Sequence, residues 1–103
     1  MTDDDQWYVL IFEDVSGGQY RRRQLSEVIA AGADRDEARV AALDEARYFE
    51  PDHPKIEKGR WVFQTSPDTW VVRMQGAASV SSFEVQVARL VATGDDDESW
   101  PDV

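Results

Sequence analysis

Cysteine is absent from the chain, histidine occurs once and methionine twice, and each shortage removes a class of chemistry. Without cysteine there is no disulfide, no thiol nucleophile and no thiolate metal site. No apolar run approaches the ~20 residues of a membrane helix. The opening Met-Thr-Asp-Asp-Asp has neither the basic start nor the apolar middle of a secretion signal. The expectation is a cytoplasmic protein with no membrane contact. His53, the lone histidine, sits between Pro51 and Pro54 with no orienting partner beside it, so it reads as a loop residue rather than a general base. Ser16, Ser66, Ser79, Ser81 and Ser82 all fall in turn or loop context, outside any G-x-S-x-G or Ser-x-x-Lys pattern. Gly17-Gly18 is followed by no G-K-[ST] and no helix start, so it is not a phosphate loop. No cofactor is expected.

What remains is a chain of 103 residues with 42% hydrophobic residues and eleven aromatics, enough for a single core and too apolar for a disordered chain. Its net charge of −10 is unevenly spread. Eight acids lie in Asp3 to Asp5 and in Asp95 to Asp102, leaving thirteen acids against eleven bases in between. The sequence therefore divides into an acidic tail, residues 1–6, a domain over 7–94, and a second acidic tail, 95–103. Tails of this sign oppose phosphate neutralisation, so no nucleic-acid partner is expected.

The clearest single element is a helix from Asp34 to Phe49. Asp34 precedes Glu37 by three residues, a variant of the capping box. The interior is rich in Ala, Arg, Glu and Leu and lacks Gly and Pro. Ala38, Ala41, Ala42, Ala46 and Phe49 form a stripe, with Leu43 at its edge. Pro51 and Pro54 stop it.

Strands account for most of the rest. Trp7 to Glu13 is apolar on both alternating faces, Trp7, Val9 and Ile11 against Tyr8, Leu10 and Phe12, and reads as a central strand covered twice. Val15-Ser16-Gly17-Gly18 makes a turn. Tyr20 to Ala31 reads as a second strand, in preference to a short strand followed by a helical turn from Ser26 to Ala31 ending at Gly32. Lys55 to Gly59 reads as a charged loop. Trp61 to Thr65 and Trp70 to Gln75 flank the turn Ser66-Pro67-Asp68. Gly76 to Ser82 reads as a loop, and the last strand alternates from Phe83 to about Thr93. The predicted fold is α+β, an antiparallel sheet of about five strands in ββαβββ order packed on one main helix, residues 34–49.

A helix of sixteen residues, roughly 24 Å long, covers one face of such a sheet. Tyr8, Leu10, Phe12, Val62, Val71 and Leu90 are expected on the other, an apolar patch of the kind that marks an interface. Arg21-Arg22-Arg23 is the one basic cluster, placed either to grip carboxylates of a partner or to keep an edge strand from aggregating. Trp100, beside Pro101 in the acidic tail, has the composition of a short recognition peptide. Glu13 and Asp14 raise the thought of a cation, and Asp95 to Glu98 lacks the spaced ligands of a calcium loop; no metal site is expected. The leading expectation is a noncatalytic interaction module, an adaptor or regulator that binds a protein partner or itself as a homodimer. Its candidate contact residues are Tyr8, Leu10, Phe12, Arg21, Arg22, Arg23 and Trp100. Alternatives are a small-ligand binder or small enzyme with a polar pocket near Arg22, Arg73 and Glu13, and an acidic inhibitor of a basic nucleic-acid-binding protein.

Overall fold

The computed structural model describes residues 6–17, 20–51 and 56–94, with the backbone alone at 15–17 and 20–22. Five strands and one helix follow in the expected ββαβββ order: β1 Trp7–Gly17, β2 Tyr20–Gly32, α1 Arg35–Tyr48, β3 Glu57–Ser66, β4 Thr69–Gly76 and β5 Val80–Arg89. They form one sheet in the order β2-β1-β5-β4-β3, and every neighbouring pair is antiparallel. The last strand in sequence thus lies in the middle and joins two hairpins. No described helix is long and apolar enough to cross a membrane.

The helix forms where its caps dictate. Asp34 has extended backbone and its carboxylate accepts from the Asp36 amide at 3.0 Å, and Asp36 and Glu37 complement the positive helix start. Gly32, the one described residue at positive φ (97°), turns the chain out of β2 into this cap. The helix must carry the chain from one sheet edge to the other. Fourteen residues rise roughly 21 Å, close to the roughly 19 Å spanned by four strand spacings.

Ala38, Ala42 and Ala46 are fully buried, over a layer of Val9, Ile11, Trp70, Val72, Met74, Phe83, Val85 and Val87. Three alanines on the contact stripe let the helix backbone lie close to the sheet. Phe49, half-buried, closes the stripe edge-to-face on Phe83 with ring centroids 5.1 Å apart.

Tyr20 to Ala31 is strand throughout, as expected, with no helical turn at Ser26. Other sequence expectations need correction. Residues 57–59, expected as loop, open β3, and β5 begins at Val80 and ends at Arg89 rather than near Thr93. β1 is neither the central strand nor covered twice: it is second from the edge, and the helix covers only its Val9–Ile11 face. Val62 packs against the core beneath the helix instead of on the open face, and Leu90 lies past the end of β5.

Candidate functional site

Register decides what the open face of the sheet displays. A two-residue connection, Pro67-Asp68, joins β3 to β4, and uninterrupted pairing from Ser66↔Thr69 would set Val62 opposite Arg73. A bulge between Gln64 and Ser66 shifts the ladder by one residue, so Val62 faces Val72, Trp61 faces Arg73 and Phe63 faces Val71. Each slip of one residue exchanges the two faces. The same happens in β2, where Glu27 pairs with Ile11 but Leu25 with Phe12. Ser26 is the extra residue, and Leu25 and Val28, three apart, come to share a face.

The open face is therefore a mosaic. Leu25 (46% exposed), Val28 (55%), Trp61 (49%) and Phe63 (54%) stand along its two margins. Tyr8, Leu10, Phe12 and Val71 lie half-buried between them. Trp61 leans over Gly59, where an added Cβ would meet its ring at 3.0 Å. Glycine there lets the indole lie along the sheet.

A polar ridge crosses this surface. The Arg23 guanidinium lies 4.3 Å above the Phe12 ring and donates to Glu84 Oε1 at 2.6 Å, while Gln86 donates to Glu84 Oε2 at 2.8 Å. Glu84, on the middle strand, has both oxygens occupied. Asp14 and Arg73 are exposed on the same face, Asp14 opposite Arg23, and neither forms an ion pair with another described residue.

Two further polar clusters hold the fold together. Asp68, in the β3–β4 turn, accepts from Arg35 Nη2 and Nε, the latter at 3.3 Å, and from Arg39 Nε at 2.8 Å. The Arg35 hydrogen bond, against the opposing effect of burial and with help from Arg39, holds the Asp68 carboxyl below its ordinary range. Arg35 is raised in turn, chiefly by its bond to Asp68. At the other end of the helix, Arg60 donates to the carbonyls of Ala46 (3.1 Å) and Phe49 (2.8 Å) and forks onto Glu57. It serves acceptors that the helix end leaves without donors.

Of the residues singled out from sequence, Tyr8, Leu10, Phe12 and Arg23 come together on the open face. The side chains of Arg21 and Arg22, all of His53, and Trp100 with its acidic tail lie outside the described residues. Glu13 and Asp14 alternate on their strand and point to opposite faces, so they do not converge on one cation. Among the described residues no cluster of His, Asp or Glu is arranged for a metal. Glu13 and Arg73 also occupy opposite faces, since Glu13 aligns through Phe83 with Val72; no single pocket holds both. The contributions of Leu25, Val28, Trp61 and Phe63 were missed from sequence. Their signal was the aromatic alternation of Trp61 and Phe63 and the Val28-Ile29 pair, but the bulges that orient them leave no mark that parity counting detects. No protein family, curated protein sequence or solved structure matches the chain.

Proposed function

We propose that this protein is a noncatalytic interaction module, an adaptor or regulator that holds another folded polypeptide against the open face of its sheet. One observation carries the reading: four large apolar side chains, each about half exposed, flank the half-buried Tyr8, Leu10, Phe12 and Val71 on a face that no other described element covers. Scattered exposed apolar residues are ordinary, but a contiguous set on one face is the signature of a contact surface. The polar ridge of Arg23, Glu84 and Gln86 sits within that set and gives it directional contacts, as interfaces combine an apolar body with a few placed polar groups.

The test uses the double variant Val28→Glu with Phe63→Glu. Both side chains are exposed, so the far-UV circular dichroism should match the wild type. The tagged wild-type chain should retain a discrete protein partner, its own copy included, and the variant should lose at least about tenfold of it. A chain ending at Gly94 should retain the partner as the full chain does. Equal recovery by the wild type and the double variant would overturn the reading.

A further inference from the structure

We propose that the occupant of the open face is a second copy of this chain, docked sheet to sheet about a two-fold axis that lies in the interface and runs along β5. This deepens the interaction reading above and rests on it.

The ladder places the open-face residues in rows across the sheet. Trp61 pairs with Arg73 and Arg73 with Ser82. Asp14, one residue beyond the Glu13–Phe83 pair, comes level with Ser82 and pairs with Arg23. The first row is then Trp61, Arg73, Ser82, Asp14, Arg23. The second is Phe63, Val71, Glu84, Phe12, Leu25, and the third runs through Thr69, Gln86, Leu10 and Val28. A two-fold axis along the middle strand reverses the order across the sheet and keeps each row at its level.

The consequence is a match of opposites. Arg73 meets Asp14 of the partner subunit, twice by symmetry, and these are the two open-face charges that have no ionic partner among the described residues. Trp61 meets the partner's Arg23, a guanidinium already lying on Phe12, and aromatic faces attract such cations. Phe63 meets the partner's Leu25, and Val71 the partner's Phe12. Where Glu84 approaches Glu84 of the partner subunit, each carboxylate is already held by its own Arg23 and Gln86. Running the axis across the strands instead would lay the first row on the third, setting Arg73 against Thr69 and Asp14 against Leu10. That arrangement buries the charges unpaired, which is costly.

Charge and size agree with self-association. Among the described side chains of the face, Arg23 and Arg73 balance Asp14 and Glu84, so this part of it is neutral although the chain carries −10, with eight of its acids in the two ends. Five strands about 4.8 Å apart over three to four rows project to roughly 500 Å². Rough side chains raise the accessible area towards the ~800 Å² per partner of a standard interface. Aligned packing of two sheets about 10 Å apart and rotated by about 30° leaves arginine side chains within reach across the gap.

The experiment is a charge swap on the full chain, read by sedimentation equilibrium near physiological salt. The wild type should sediment at twice 11.7 kDa. Arg73→Glu and Asp14→Arg should each weaken the dimer about tenfold or more, because like charges then oppose across the axis. The double variant Arg73→Glu with Asp14→Arg should recover to within about threefold of the wild type. Should either reversal fail to fold, Arg73→Gln and Asp14→Asn should still weaken the dimer. A wild type that stays monomeric near 100 µM overturns the proposal, as does a double variant no stronger than the single ones, or a dimer indifferent to both. A monomeric wild type whose Val28→Glu/Phe63→Glu variant still loses another protein would remove the self-partner and leave the interaction reading standing. An unaffected capture would remove both.

Discussion

Arg60 illustrates how one side chain joins three parts of this fold. It projects from β3 beneath the helix end with only 11% of its side chain exposed, lies 5.7 Å from the Phe83 ring centre, and supplies donors to two helix carbonyls and to Glu57. Arg60→Met keeps the apolar stem and removes every donor. Leaving carbonyls at a half-buried helix end unserved should cost about 2–3 kcal/mol in urea unfolding. Arg60→Lys should recover less than half of that, since an ammonium cannot fork between both carbonyls and the carboxylate. A Met variant within about 0.5 kcal/mol of the wild type would show that the cap contributes nothing. Asp68 makes the matching link at the helix start. Its carboxyl is depressed in the folded state, so protonation is harder there than in the unfolded chain. The stability it contributes is present above the unfolded carboxyl range and is lost as pH falls through the lower folded value. Asp68→Asn should therefore be less stable than the wild type at pH 7, by on the order of 1–2 kcal/mol. The gap should narrow as the pH falls below the ordinary carboxyl range and through the lower folded value. A gap that does not change with pH would assign the effect to the shape of the turn rather than to its charge.

Alanine is what the helix contributes to the core, and its smallness sets the helix–sheet distance. Ala42→Leu should overpack this contact and lower stability by about 1–3 kcal/mol, whereas Val40→Leu, at a position 71% exposed, should stay within about 0.5 kcal/mol; similar losses at both positions would argue against a tight contact. The helix was legible in the sequence because its signals are local. Asp34, the alanine stripe and Pro51 act within a turn or two of where they stand, and both helix ends fall within a residue of expectation. The sheet was legible in strand number, order of elements and the alternation of Trp70 to Met74 and Phe83 to Val87. Its faces were legible only where pairing runs unbroken. Ser26 and the residue pair Gln64–Ser66 sit at bulges, and beyond each bulge a count by twos assigns the wrong face. That is why Val62 was expected outside, and Trp61, Phe63 and Val28 were not placed there. The β3 bulge also has a local return: it turns Arg60, two residues from Val62, towards the helix end that it caps.

The described residues build two layers, with 19 Å along the shortest axis of the molecule, a helix on one side of the sheet and, among the described residues, none on the other. The apolar half of the open face along β1 was readable from Tyr8, Leu10 and Phe12. Its margins depend on long-range register and were not. Such a face links stability to concentration. If two copies bury it together, unfolding releases two chains from one dimer, and mass action stabilises the dimer as protein is added. A hundredfold increase in total concentration should add up to about 2.7 kcal/mol per dimer and raise the thermal midpoint of the wild type measurably. Val28→Glu with Phe63→Glu, which places four carboxylates in the same contact, should abolish the concentration dependence. At the lowest concentration, where both proteins are monomeric, their midpoints should converge, because neither substitution touches the core beneath the helix. A wild-type midpoint that does not move over the hundredfold range would mean that folding is complete within one chain and that the open face is held for a different protein.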